Sequence, residues 1–310
     1  MRSSLTLVLA AISATALMAC SEEDSTEAPG NMDTAADVVD NDGMEHTDGD
    51  DHDHDGEETH SRDVTLNFAA MVGTQPLDCT STYTDAIAGH TFALNDLRLF
   101  ISEVSVVDAS GNLFPFTLDE GTEWQNDGVA LLDFEDGTGS CSNATPATNT
   151  SITGSVPHGE FTGIVFTIGV PEALNHVNPV EQSGPLANTA LHWSWMMGYK
   201  YFQLEGSLDE TGLVLLHLGS TACMGTPPSD FMCSVPNRPR VELTGTDPTS
   251  TEIVLDLAAL LAESTPVDNE VFCMAEQSDA CAGLLAPLGL DMAAGATIAG
   301  AETTVFRFAE

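Results

Sequence analysis

From Val64 onward the chain is a succession of short runs in which apolar and polar residues alternate or apolar residues cluster between turn signals. Only an extended backbone keeps a side-chain period of two, so this pattern constrains the fold before any other feature does. Val64-Thr65-Leu66-Asn67-Phe68 is its plainest case, and similar runs cover 97–107, 113–118, 129–134, 161–170, 199–204, 213–218, 240–243, 253–257 and 304–308. Ala109-Ser110-Gly111-Asn112, Asp136-Gly137-Thr138-Gly139, Val156-Pro157-His158-Gly159 and Glu210-Thr211-Gly212 punctuate them with turn formers. Helical patterns are short, over 256–263 and 282–288. No alternation of strand with long helix appears, which argues against a parallel doubly wound sheet. The pattern predicts an all-β domain over residues 63–310, a β-sandwich or barrel-like fold with a few short helices.

The first 20 residues, MRSSLTLVLAAISATALMAC, hold one positive charge at Arg2 and then an apolar stretch too short to span a bilayer. They read as a secretory signal. Its Leu17-Met18-Ala19-Cys20 ending resembles a bacterial lipobox, in which Cys20 is the lipidated first residue of the mature chain. Six cysteines then remain: Cys79, Cys141, Cys223, Cys233, Cys273 and Cys281. An even number in an exported chain with no C-x-x-C pair points to disulfides that staple the fold rather than to a cysteine metal site. Composition leaves the pairing open, although local spacing favours Cys223 with Cys233 and Cys273 with Cys281, leaving Cys79 with Cys141.

Charge is very uneven. The chain has 310 residues, 48 acids against 7 bases and a formal net charge of −41. Residues 21–62 carry 16 of the acids and one base, and hold almost no large apolar side chain. Such a segment cannot bury enough surface to offset its ordering entropy, and reads as a disordered acidic tether. It includes His46, His52, His54 and His60 among aspartates, either low-affinity transition-metal ligands or incidental members of a solvated linker. The remaining 32 acids and five bases belong to the folded region. Without clustered Lys and Arg, nucleic-acid binding is excluded, as is a polybasic membrane surface.

No G-x-S-x-G elbow, Walker A loop, H-E-x-x-H or C-x-x-C-H motif stands in the sequence, so common hydrolase, phosphotransferase and cytochrome chemistry has no support and the chain reads as a non-enzyme. The segment richest in chemistry is Leu191-His192-Trp193-Ser194-Trp195-Met196-Met197-Gly198-Tyr199-Lys200-Tyr201, with two of three tryptophans and the only lysine. If extended, it sets Trp193 and Trp195 on one face and His192 and Ser194 on the other, which would also suit an aromatic core strand. In the run ending at Leu218, Leu216 and Leu218 share one face and His217 takes the other, lining a site or facing water. His90, His158 and His176 complete the histidines of the folded region.

Several of these segments, in this order, resemble the MbnP-like family, the periplasmic copper-binding proteins associated with methanobactin operons, also described as the four-Cys-motif member of the metallo-mystery pair. The matching pieces are Phe68-Ala69-Ala70-Met71-Val72-Gly73 before Cys79, Asp96-Leu97-Arg98-Leu99-Phe100-Ile101-Ser102, and Val129-Ala130-Leu131-Leu132-Asp133-Phe134-Glu135. Gly169-Val170-Pro171 with Leu174-Asn175-His176, Trp193-Ser194-Trp195 with Gly198-Tyr199-Lys200-Tyr201, His217-Leu218-Gly219-Ser220 with Cys223, and the tail from Cys273-Met274 to Cys281 with Leu288-Gly289-Leu290 follow. The resemblance implies a secreted copper binder acting beside a di-haem enzyme of the cytochrome c peroxidase/MauG type, which oxidises a tryptophan of the binder to kynurenine. It implies Trp193 or Trp195 as the oxidised residue and His176 and His217 as copper ligands, while the lipobox at Cys20 points to a lipoprotein anchored in the bacterial cell envelope, facing the periplasm or the cell surface. A different class also accommodates the sequence: a non-catalytic extracellular β-sandwich adhesion or structural module with calcium on its acidic surface, since calcium prefers oxygen ligands.

Overall fold

The computed structural model describes residues 60–310 except 85, 143, 227–230, 276–277 and 302. The signal segment, Cys20, and His46, His52 and His54 of the acidic tract lie outside the described residues.

The described residues build two large open sheets, neither closed into a barrel. One runs Phe306–Phe308, Ile253–Asp256, Ser61–Val72, Ser151–Pro157, Thr117–Leu118, with Gln75–Pro76 paired on Ser61–Val72. The other runs Arg240–Thr244, Gly163–Ile168, Phe92–Val107, Phe202–Leu208, Gly212–Leu218, Glu270–Cys273, with Leu113–Pro115 and Val129–Asp133 also on the long Phe92–Val107 strand. The first strand opens at Ser61, two residues before the expected start of the domain. The backbone places Ser61 and Arg62 because they pair with Pro157 and Val156.

Both sheets turn the apolar half of their alternation to one core. Leu66, Phe68 and Ala70 from one meet Leu97, Leu99, Phe166, Leu204, Leu216 and Leu218 from the other. Phe166 stands at the centre, edge to face with Phe68 at 6.0 Å and with Phe306 at 5.3 Å. The strands at Ser151–Pro157 and Glu270–Cys273 carry weak periodic signals and emerge only from pairing.

Helices are as short as the sequence suggests. Asp256 caps Leu257–Leu261 by accepting from the Ala258 and Ala259 amides, at 2.9 and 3.4 Å. The second begins earlier than expected, at Asp279–Leu285, and stops before Pro287. A further turn of helix at Glu172–Asn175 was not legible in the sequence.

Disulfides join Cys79 to Cys141, Cys223 to Cys233 and Cys273 to Cys281. The first and third lie in the core. The second ties Thr221–Met224 to Met232–Val235, a hairpin belonging to neither large sheet.

One cost is built into the outer face of the larger sheet. Asp96, Asp133 and Glu135 are buried around the single guanidinium of Arg98, which donates to both Asp96 oxygens. Glu135 is 0 % exposed with neither oxygen hydrogen-bonded. Burial first, and the charge of Glu135 second, push the Asp133 carboxyl up to about 7. The unfolded chain releases that proton near pH ~4, so this group subtracts from stability increasingly as pH rises from about 4 to about 7, and fully above that. Asp133→Asn therefore raises the melting temperature more at pH 8 than at pH 5; calorimetry showing equal gains at both would contradict this origin.

Candidate functional site

The site grows from the outer face of the larger sheet. Side chains alternating with the core-facing leucines present Asp96 and Arg98 from the long strand, Gln203 and Glu205 from Phe202–Leu208, and His217 from Gly212–Leu218. This face is not left to water. Residues 170–201 lie over it and contribute Val170, Leu186, Leu191, Tyr199 and Tyr201 to a second apolar cluster that includes Phe100, Val129 and Leu131 of the sheet.

Asn175 pins this cover. Its side-chain oxygen accepts from the Tyr199 amide at 2.9 Å, and its amide donates to the Ser220 hydroxyl at 2.7 Å. Gly198 makes room for it: at φ +70°, any Cβ there would fall 2.4 Å from the Asn175 amide. Tyr199 donates to the Leu186 carbonyl at 2.5 Å, and burial pushes its phenol up to about 12.

Under this cover His217 is 7 % exposed. Of its two expected placements, lining a site or facing water, the structure excludes the second. Its Nε2 lies 2.7 Å from Glu205 Oε1. A carboxylate only accepts, so whenever the ring is neutral its proton sits on Nε2 and donates to Glu205, whose carboxyl that bond holds below its usual range. Nδ1 keeps its lone pair, and it is buried without a hydrogen-bond partner. A ring nitrogen oriented by a carboxylate on the opposite nitrogen is the usual arrangement of a metal-ligating histidine.

Trp193 stands beside it, ring centres 6.2 Å apart. Gly219 admits that indole, since a Cβ there would lie 2.6 Å from Trp193 Cζ3 and 2.7 Å from the Tyr199 carbonyl. Trp193 also lines a cavity of about 680 Å³ with Ser194, Met197, Thr221, Val235 and Met274.

Trp195 does not share this position. The expected common strand face fails because the strand covers only His192–Ser194. The chain then turns, the Met197 amide donating to the Ser194 carbonyl at 3.1 Å, and Gly198 reverses it into Gly198–Tyr199. Trp195 is thrown onto the turn, 49 % exposed, with its ring 5.6 Å from Phe231.

His176 goes with Trp195 and the hairpin disulfide. Its Nδ1 donates to the Trp195 carbonyl at 2.7 Å, and its Nε2 lies 3.1 Å from both Asn175 Nδ2 and Cys233 Sγ. Phe231 packs edge on at 4.7 Å. The two imidazoles expected at one ion thus have different neighbours, linked through Asn175 and Ser220. His192, which the sequence did not single out as a ligand, has a buried unpartnered Nε2, and burial followed by the nearby His176 lowers its pKa. Glu205 and Asn175 also went unrecognised. Glu205 is two residues from Gln203, the cross-strand partner of His217, and only that register reveals the contact.

Elsewhere, His60 and His158 are exposed with ring centres 6.5 Å apart, and His90 Nδ1 meets Asp209 at 2.5 Å. Among the described residues, the His/Cys/Asp/Glu group whose ligand atoms converge is His176, Cys223 and Cys233; it contains no carboxylate of the kind calcium requires. No helix among the described residues is long and apolar enough to cross a membrane.

Residues 61–275 match the model of the MbnP family. The fold is similar to that of MbnP from Methylosinus trichosporium, with 25% sequence identity, a TM-score of 0.68, and coverage of 80% of this chain and 98% of that one. No curated protein matches the chain in sequence.

The contact at Gly219 yields a direct expectation. Gly219→Ala forces Trp193 away from His217, which shifts tryptophan fluorescence and lowers stability by about 1–3 kcal/mol, as overpacking does. An unchanged emission spectrum and melting temperature would contradict the contact.

Proposed function

This chain belongs to the MbnP family, and on that premise we propose that it is a copper-binding lipoprotein of the bacterial cell envelope, anchored at Cys20, in which a di-haem cytochrome c peroxidase/MauG-type enzyme oxidises Trp193 to kynurenine beside His217. The observation that carries this reading is the buried, unpartnered Nδ1 of His217, fixed by Glu205 and set next to an indole.

The residues fit a copper ion. Neutral imidazole suits copper, and a lone pair held in place by a carboxylate needs no reorganisation to bind it. Kynurenine would add an aromatic amine and a ketone where indole offers no comparable donor. Bound copper would supply a redox-active cation; the protein supplies His217, oriented by Glu205, and a cover that excludes water. Trp193 is favoured over Trp195 because Trp193 is the tryptophan in contact with His217. Trp195 is the more exposed of the two, and its backbone carbonyl is taken by His176. His176, implied as a second ligand, faces the hairpin disulfide, so the reading rests first on His217.

The acidic surface favours approach of a cation or a basic partner face. The His46, His52, His54 and His60 tract would act as a weak collector ahead of the domain.

Peptide mass spectrometry of protein expressed with its di-haem partner should place one kynurenine at residue 193 and none at 195. His217→Ala should abolish tight copper binding, and Glu205→Ala should weaken it by roughly 10–100-fold, the usual effect of losing a ligand's orienting partner. Unmodified tryptophan at 193, or full copper affinity in His217→Ala, would overturn the reading.

A further inference from the structure

We propose that Cys223–Cys233 is a reducible disulfide whose two thiols, once released, form with His176 a second metal site for soft ions, separate from the His217 centre. Three observations meet here. The Sγ atoms of Cys223 and Cys233 and a ring nitrogen of His176 all lie within 4.8 Å of one another. Donors sharing one ion through bonds of about 2.0–2.3 Å stand roughly 3–4 Å apart; His176 Nε2 and Cys233 Sγ already do, and the two sulfurs, bonded in the bridge, must move apart on reduction to join them. The tautomer of His176 also suits a metal: its Nδ1 proton is committed to the Trp195 carbonyl, so Nε2 carries the lone pair, which accepts from the Asn175 amide at 3.1 Å and faces Cys233 Sγ at the same distance; a bound ion would displace the Asn175 contact.

The second observation is access. Cys79, Cys141, Cys273 and Cys281 are at most 2 % exposed and belong to the main core. Cys223 is partly exposed, on a hairpin outside both large sheets. A reductant reaches Cys223 without unfolding the core, whereas the other two bridges are sealed. The third is local support that does not depend on the bridge. Main-chain pairing holds Thr221 to Val235 and Met224 to Met232 on either side of it, and the Cys233 amide donates to Glu172 at 3.0 Å. With the bridge cut, the strands still present both sulfurs on the face that meets His176.

The chemistry balances with an external dithiol of the thiol–disulfide oxidoreductase class. Its thiolate attacks Cys223 Sγ, the S–S bond breaks, and Cys233 departs as a thiolate beside the His176 imidazole. The second thiol of the reductant resolves the mixed disulfide. The dithiol is oxidised to a disulfide, the protein gains two electrons and two protons, and a bound ion displaces the two thiol protons to solvent. Two thiolates and one imidazole select Zn(II) or Cu(I) over Ca(II) or Mg(II). The site is closed to metal while oxidised and opens on reduction.

The test uses the full-length protein, mild dithiol treatment and cobalt(II) as the spectroscopic probe. Differential alkylation should show Cys223 and Cys233 reduced while the other four cysteines stay oxidised. The reduced protein should bind one cobalt(II) with thiolate-to-metal charge-transfer absorption, displaced by zinc. Cys223→Ser should abolish that absorption, and His176→Ala should weaken cobalt binding by at least about tenfold while leaving the bridge reducible. His217→Ala should leave the cobalt signal intact, so failure here is separable from failure of the copper reading, which His217→Ala and kynurenine mapping report. Reduction of all three bridges together, free Cys223 and Cys233 thiols without a thiolate–cobalt band, or unchanged affinity in His176→Ala would each overturn the proposal.

Discussion

The outer face of the larger sheet carries charged and polar side chains that the chain then buries, and the rest of the site follows from that constraint. A sheet with one face on the core ordinarily leaves the other to water. Here residues 170–201 cover it, and every polar group beneath must find a partner or bear the cost of lacking one. Asp96 finds Arg98 and Gln203, Gln203 finds Lys200, and His217 finds Glu205. Among the described groups left without a hydrogen-bond partner, those on this face or in its cover are the informative ones, Glu135, His192 Nε2 and His217 Nδ1 among them. Only His217 Nδ1 combines a vacant lone pair, a carboxylate behind the ring and an indole alongside.

The cover depends on small residues as much as on aromatic ones. Gly198 gives Asn175 its place and Gly219 gives Trp193 its place. Asn175 then ties the turn after Trp195 to Ser220, next to the strand that carries His217. One polar side chain therefore couples the surroundings of His217 to those of His176, two centres that differ in chemistry. The first offers a single imidazole and an oxidisable ring. The second offers an imidazole and a disulfide.

Much of the fold was legible in the sequence where periodicity was strong. Val64–Phe68 and the run ending at Leu218 alternate cleanly because one side of each strand meets the core, and both are strands. The all-β class, the short helix after Asp256 and the disulfide pattern favoured by spacing follow from local signals. Ser151–Pro157 was missed because serine, threonine, glycine and proline alternate with only two large apolar residues, so its strand character comes from pairing with Ser61–Val72. The site was legible in its residue types and not in its partnerships. His217, Trp193, Trp195 and His176 stood out as residues, but the separation of the two tryptophans depends on a turn at Gly198, and Glu205 reaches His217 only across a strand pair. Such contacts are set by register, which no local pattern encodes.

The central claim is that His217 offers an unprotonated Nδ1 because Glu205 holds the proton on Nε2. Nitrogen-15 NMR of the imidazole rings in the metal-free protein tests it most directly, since the two tautomers have distinct shifts and couplings. The neutral His217 ring is expected in the Nε2–H form, with Nδ1 unprotonated. A dominant Nδ1–H form would contradict it and remove the basis for a metal centre at this residue.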